Sequence, residues 1–492
     1  MEQDEFLRGL RERRKPDILE CLANLSRDEV FTPQAVVDKM LDLLPQELFA
    51  SPDTKFLAPC CKSGLFLREI ARRLFWNEKM IKAIPDDQQR RDHILAKQIF
   101  GIAITKLTAM MSRRSLYCSR IANGAKSVCT AFTNEDGNVR FNGIKNEFIH
   151  LTPQQVKEYQ NMKFDVIIGN PPYQQDDGGA GASATPIFQL FVEQAKKLQP
   201  RYLTMIIPAK WYSGGKGLDE FRNAMLTDKR LRIIHDYKSA SDCFAGVEIK
   251  GGVMYFLWDK DSAENTTRVI EHTGNQIVSD KVRPLLEEGF DFFIRHNEAV
   301  PILKKVLELN PEIRKGNSFA KIVSSRKPFS FATNFTDFKS QDFTGAVKIY
   351  ANKKTGYIAR DKIEVNSDWV DKWKIFIPKA IGSGETTEDI FKPIIVEPNS
   401  CCTETYIVIG PFDDEKICKN VVSYIKTKFF HFCVGLRKVT QDATAKVYSL
   451  VPLQDFAQSW TDEKLYSKYD LTQDEIAFIE SMVRPMDKGG EE

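Results

Sequence analysis

The chain has 492 residues, of which 42% are hydrophobic and 28% charged, with 70 basic against 67 acidic side chains and a net charge of +3. That apolar share can build a sizeable core and excludes a wholly disordered chain, while the apolar runs are too short to span a bilayer. At roughly 150 residues per domain, the length predicts two large domains or about three smaller ones. Residues 1–17 are charged and lack the apolar stretch of a signal peptide, so a cytoplasmic location is expected. Ten cysteines are too few for a disulfide scaffold. With no CxxC and no histidine pair at zinc spacing, no metal site is expected. Near-neutrality neither demands nor forbids a polyanionic partner, which would need locally segregated charge.

Taken in chain order, the first 260 residues alternate short apolar runs with amphipathic stretches, the rhythm of an α/β domain with a mainly parallel sheet. Strands are predicted at 55–58 and 98–104, with a helix over 65–75 between them. A buried strand at 164–169 ends in Asn170-Pro171-Pro172-Tyr173, because two successive prolines cannot continue a ladder. A helix is predicted over 186–195 with Pro186 at its first position. Strands follow at 202–207, 232–236 and 252–258. Beyond residue 266, strand-like pieces at 347–350, 374–377 and 405–409 precede helices at 414–432 and 473–483. The polar stretch 259–267 marks the expected boundary, giving domains 1–265 and 266–492.

The chemistry concentrates in Asp165-Val-Ile-Ile-Gly-Asn-Pro-Pro-Tyr173. The lone pair of an exocyclic amine is delocalised into its ring, so the amine is a poor nucleophile. The Asn170 side-chain oxygen and the following carbonyl can hold such an NH₂ group and favour its pyramidal form. Pro171 and Pro172 fix the carbonyls, and Tyr173 can stack on the planar group. Catalysis then comes from positioning and oriented dipoles, with no covalent intermediate. The plainer alternative is a turn after a buried strand.

On this motif the chain resembles S-adenosylmethionine-dependent amino-group methyltransferases. Its N-terminal half is similar to the γ group of N6-adenine DNA methyltransferases from restriction–modification systems. Val30-Phe-Thr-Pro33 resembles the family's N-terminal cofactor motif, and read locally Thr32 suits a helix N-cap and Pro33 a first helical residue. The segment 56–67 resembles the strand–loop–helix that wraps the cofactor; Pro59, Cys60, Ser63, Gly64 and Phe66 fit the pattern. Ala58 stands where the family has an acid for the cofactor's ammonium group, and Lys62 where a small residue is usual. Thr105 ends the next strand, where an acid usually holds the ribose. Weak cofactor binding is therefore expected. Asp242-Cys-Phe-Ala-Gly246 resembles a late motif whose aromatic, here Phe244, packs on the target base.

The resemblance implies a Rossmann-like, doubly wound catalytic core with a C-terminal α+β target-recognition domain. It also implies transfer of a methyl group to N6 of an adenine flipped out of double-stranded DNA. Basic and aromatic residues interleave in the C-terminal half, where Ser324, Arg326, Lys327, Lys353, Lys354 and Arg360 are candidate DNA contacts. No nuclease constellation is evident, so cleavage would fall to a separate restriction endonuclease partner. The competing reading is a catalytically impaired DNA-recognition protein, which the departure at Ala58 suggests and the intact tetrad argues against.

Overall fold

The computed structural model describes residues 32–102, 108, 111–112, 115–116, 163–174, 185–213, 217–244, 246–288, 290, 292–379, 392–437 and 444–483. The chain divides into two compact units, Met1–Leu285 and Leu286–Glu492. The first unit is built on an eight-stranded sheet in the order β2-β1-β3-β4-β6-β5-β7-β8. These strands are β1 (Phe56–Ala58), β2 (Ile99–Gly101), β3 (Val166–Gly169), β4 (Tyr202–Pro208), β5 (Leu231–Tyr237), β6 (Val253–Asp259), β7 (Thr267–Thr273) and β8 (Gln276–Arg283). Six run one way; β6, inserted between β4 and β5, and the edge strand β8 run the other. The expected α/β class with a mainly parallel sheet is observed, with the two reversed strands making it mixed. Central strands read as continuous apolar runs because both faces are covered: Val166, Ile167 and Ile168 are fully buried, as are Leu203, Ile206, Ile207, Tyr255 and Phe256.

The domain boundary differs from the sequence expectation. The polar stretch 259–267 is a turn between β6 and β7, and β7 pairs with β5 in parallel from Ile233↔Arg268 to Tyr237↔His272. Residues 266–283 thus extend the sheet of the first unit, and the division falls after Leu285. Polarity marked a loop but not the end of the sheet, since an edge hairpin with one wet face is itself polar. In β8, Ile277, Val278 and Val282 are exposed, with charged Asp280 and Lys281 between them.

Helix α1 (Gln34–Asp42) buries Val36, Val37, Met40 and Leu41. Helix α2 (Leu65–Phe75) follows β1 and buries Phe66, Leu67, Ile70 and Leu74. That 3.6-residue spacing made it legible to the residue. Two short helices, α3 (Glu78–Ala83) and α4 (Asp87–His93), lead into β2. Helix α5 (Phe188–Lys197) precedes β4 and α6 (Asp219–Leu226) precedes β5. Pro186 is not the first residue of α5: it forms an antiparallel bridge with Gln174, and the helix starts two residues later.

The second unit is α+β. One three-stranded sheet runs β10-β9-β13 and another β12-β11-β14. Their strands are β9 (Ala346–Ala351), β10 (Lys354–Ala359), β11 (Trp373–Pro378), β12 (Ile394–Val396), β13 (Ser400–Cys402) and β14 (Tyr406–Phe412). Helices α7 (Ala299–Leu309), α8 (Glu415–Ile425), α9 (Lys428–Gly435), α10 (Asp462–Lys468) and α11 (Gln473–Met482) share one apolar cluster with Ile375, Ile377, Ile407 and Ile409. A second cluster lies between the sheets, where Cys401 and Cys402 are fully buried with Val347, Phe376 and Val408. Buried Lys374 nearby donates its ammonium protons to the carbonyls of Lys372 and Val370, at 2.7 and 3.3 Å.

Candidate active site

Because β1, β3, β4 and β5 are parallel, the segments that follow them leave the sheet at one edge. The chain turns in opposite directions from β1 and β3, and the crevice outside such a switch point is where open α/β sheets bind ligands. Asn170 follows β3 directly and is 1% exposed. Its Nδ2 donates to Thr32 Oγ1 at 3.1 Å, across 138 positions of sequence. An amide's two ends point apart, so this bond turns the buried Oδ1 away from Thr32 and leaves it in the acceptor role. Thr32 therefore does not act as the expected N-cap; Pro33 precedes α1, and its carbonyl accepts from Val36 and Val37 at 3.0 and 3.1 Å. The Thr32 hydroxyl is committed to the tetrad instead.

Pro171 is buried and Pro172 half-buried. Tyr173 is 7% exposed, and its phenol oxygen has no hydrogen-bond partner among the described residues. Burial pushes the phenol well above its ordinary pKa, with the Cys243 thiol adding to the rise. Phe244 follows Cys243 and is 2% exposed, and the interaction of Cys243 with Tyr173 places this segment near the tetrad. The thiol of Cys243 is itself pushed up to about 12, chiefly by burial.

The loop after β1 lies next to β3: a Cβ on Gly169 would stand 3.7 Å from Pro59 Cδ. Cys60 is buried, and the Cys61 amide donates to the Ile102 carbonyl at 2.9 Å, tying the loop to β2. Gly64, at φ +80°, begins α2, and a Cβ there would meet Ser112 Oγ at 2.6 Å. Only glycine combines that left-handed conformation with so close an approach. Ala58 is fully buried at the end of β1, paired with Gly101, and brings no acid to the crevice. Lys62 takes φ +44° and is also buried. Thr105 lies outside the described residues.

A polar cluster at the end of β5 has no counterpart among the residues singled out from sequence. The Tyr212 hydroxyl donates to Asp236 Oδ1 at 3.1 Å, and Asp236 is 1% exposed. Beside it, His235 Nδ1 and His272 Nε2 are 2.9 Å apart. His235 stacks on Tyr255 with ring centroids 4.5 Å apart, and His272 on Tyr237 at 4.3 Å. Burial lowers His235 to about 3, helped by His272, Arg268 and Lys39. Burial and Lys39 lower His272 to about 4. The signal for this cluster was an acid and a histidine inside the apolar strand Arg232-Ile-Ile-His-Asp236, two residues that a buried strand accepts only with partners.

Among the candidate DNA contacts of the second unit, Ser324 is not available. It is 4% exposed, its hydroxyl accepts from the Val408 amide at 2.9 Å and donates to the Ser325 carbonyl at 3.0 Å, so it anchors backbone. Arg326 and Lys327 are exposed near Glu404. Lys353 and Lys354 are exposed at the β9–β10 turn, where Lys353 has φ +57°. Arg360 is exposed and paired through both terminal nitrogens with Asp371. Among the described residues no group of acids, histidines and cysteines could hold a metal, and no helix is long and apolar enough to cross a membrane.

The Eco57I restriction-modification methylase family matches residues 97–244, a span that contains the tetrad and ends at Phe244. An "uncharacterized adenine-specific methylase" of Mycoplasma pneumoniae is 38% identical, with 52% of this chain and 73% of that protein covered. A nuclease-deletion mutant of the Type ISP restriction-modification enzyme LlaGI, solved with a DNA substrate mimic, superposes with a TM-score of 0.50 at 11% identity, over 87% of this chain and 46% of that one. The Type IIL restriction-modification enzyme MmeI, in complex with DNA, gives 0.47 at 11% identity, over 84% and 64%. The chain thus spans less than two thirds of either solved relative. With an intact Asn-Pro-Pro-Tyr at the carboxyl edge of the sheet and a relative at this level of identity, the chain belongs to the adenine-specific methylases.

Proposed function

We propose that the chain transfers a methyl group from S-adenosylmethionine to N6 of an adenine flipped out of double-stranded DNA. The observation that carries this reading is the bond from Asn170 to Thr32, which presents the amide oxygen as an acceptor beside the rigid Pro171-Pro172 carbonyls. The oxygen would accept one proton of the adenine amino group and the Pro171 carbonyl the other, so that the nitrogen lone pair leaves the ring plane. Tyr173 and Phe244 would pack on the extruded base. Such extrusion costs a few kcal/mol, which contacts to DNA elsewhere must offset.

The residues at the switch point fit the cofactor in outline. Gly64, packed against Ser112, opens α2, and Pro59 and Cys60 lie in the turn before it. S-adenosylmethionine bound there would supply an electrophilic methyl group on its sulfonium. Thr32 and Pro33 before α1 would lie against its methionine end. Ala58 contributes no carboxylate, so one charge-assisted bond to the ammonium is missing. The second unit would supply the DNA contacts.

The test is expression in a methylation-free host with mapping of modified bases. N6-methyladenine at one recurring motif, absent with Asn170→Ala, is the expected result. Unmodified DNA that the chain still binds sequence-specifically would overturn the enzymatic reading in favour of an impaired recognition protein, which the intact, buried tetrad disfavours.

A further inference from the structure

Glu404 lies in the turn between β13 (Ser400–Cys402) and β14 (Tyr406–Phe412). Three cations converge on its carboxylate. Lys327 Nζ stands 3.8 Å and Arg326 Nε 3.9 Å from Oε2, and Lys379 Nζ stands 3.9 Å from Oε1. Oε1 accepts from the Thr333 hydroxyl at 3.1 Å, whereas Oε2 is buried and accepts no hydrogen bond among the described residues. Burial opposes the charge, but the Thr333 bond and the three cations outweigh it and hold Glu404 below its ordinary pKa.

The segment carrying Arg326 and Lys327 is pinned on both sides. Ser324 is bonded through amide and hydroxyl to Val408, and the Asn366 side chain donates to the Pro328 carbonyl at 2.6 Å. The Glu404 amide donates to the Phe331 carbonyl at 2.9 Å. Buried Phe329 lies edge-on to Trp369. Arg326 and Lys327 therefore project from a fixed tip, with side chains 58% and 52% exposed.

At 3.8–3.9 Å the cations are attracted to Glu404 without donating hydrogen bonds to it. The donors of Arg326 and Lys327 remain open toward solvent, whereas Lys379 is largely buried beneath them, and three positive charges against one negative leave the patch cationic. A guanidinium and an ammonium side by side on a rigid tip match the tetrahedral oxygens of a phosphodiester.

We propose that Arg326 and Lys327 clamp a backbone phosphate of double-stranded DNA, and that Glu404, held by Thr333, is the positioning residue that gathers them with Lys379. This rests on the DNA-methyltransferase reading above and adds the contact that would set the register of the second unit on the duplex.

The test is fluorescence anisotropy of the full chain on duplex DNA across a range of KCl concentrations, with thermal melting to verify folding. In the double variant Arg326→Ala, Lys327→Ala, binding should weaken about equally on target and unrelated duplexes, and the slope of log K against log[salt] should become shallower by about one to two. An unchanged slope overturns the clamp. Glu404→Gln separates positioning from charge. If Glu404 only repelled DNA, its neutralisation would tighten binding; the positioning role requires that it weaken binding about three- to tenfold. Tightening therefore overturns that role. Should Glu404→Gln melt early, Thr333→Val removes the anchoring hydroxyl without changing charge and should weaken binding at constant slope; unchanged binding counts against the role. Inorganic phosphate at matched ionic strength should leave the affinity unchanged, since the ligand is a backbone phosphate; selective loss would assign the site to free phosphate. A wild-type chain that binds no duplex DNA would instead defeat the methyltransferase reading itself. Methylation with an unchanged slope would defeat this inference alone.

Discussion

The side chains of Thr32 and Asn170 are hydrogen-bonded at 3.1 Å, so a residue just before α1 orients the amide that follows β3. Thr32→Val should leave Nδ2 of Asn170 without its acceptor at a nearly fully buried site. An unmet buried donor costs about 1–3 kcal/mol, equivalent to a loss of about five- to hundredfold in turnover. Thr32→Ser restores the hydroxyl and should recover most of it. Steady-state kinetics on a DNA substrate would show kcat falling more than KM rises; equal turnover in Thr32→Val would remove the orienting role.

Tyr173 presents the opposite situation, a phenol oxygen buried without a partner among the described residues. Burying an unpaired hydroxyl costs on the order of 1–3 kcal/mol, so Tyr173→Phe should be neutral or stabilising in the free protein. Because stacking uses the ring, the same variant should keep turnover within about threefold. Tyr173→Ala should lose it by at least a hundredfold, in line with the contribution of a positioned group. A Phe variant as inactive as the Ala variant would mean that the hydroxyl itself takes part.

Ala58 leads to a prediction about affinity. Losing one charge-assisted bond to a buried ammonium costs on the order of 1.5–3 kcal/mol. Ala58→Asp should therefore tighten S-adenosylmethionine about ten- to hundredfold in calorimetry. Without ligand the new carboxylate would be buried, so the free variant should melt earlier than wild type and gain more on ligand addition. Micromolar binding unchanged between the two proteins would show that another group already serves the ammonium.

The His235–His272 pair makes stability pH-dependent. Both folded-state values lie below the ordinary 6.5, so the unfolded chain binds more protons between them. The stability contributed by the neutral pair is whole above about pH 6.5 and is lost as pH falls toward 4 and then 3. The slope is at most about 1.4 kcal/mol per pH unit for each imidazole. Urea unfolding at pH 7, 6 and 5 should show a steeper decline in wild type than in His235→Phe, His272→Leu. Parallel declines would exclude the pair as the origin.

How much of this was legible in the sequence depended on whether the deciding interaction was local. Helix α2 was readable to the residue because Phe66, Leu67, Ile70 and Leu74 repeat at helical spacing and Gly64 precedes them. The tetrad was readable because its chemistry is contiguous. The bond that orients it was not, since it joins positions far apart, and Thr32 alone looked like a cap. Pro186 followed a sound local preference that a bridge to Gln174 overrode. Ser324 looked like a surface hydroxyl until Val408 was brought over it. Asp236 needed a partner, and only the fold shows that Tyr212 provides one.

The insertion of β6 between β4 and β5 has a consequence for synthesis. When the ribosome has released residues up to 250, the tetrad and its strand exist, yet β4 still carries an open edge that only residues 253–259 can close. Such an edge invites pairing with other nascent chains. The half of the sheet that bears Asp236 therefore forms late, once β6 and β7 have followed β5 out of the ribosome.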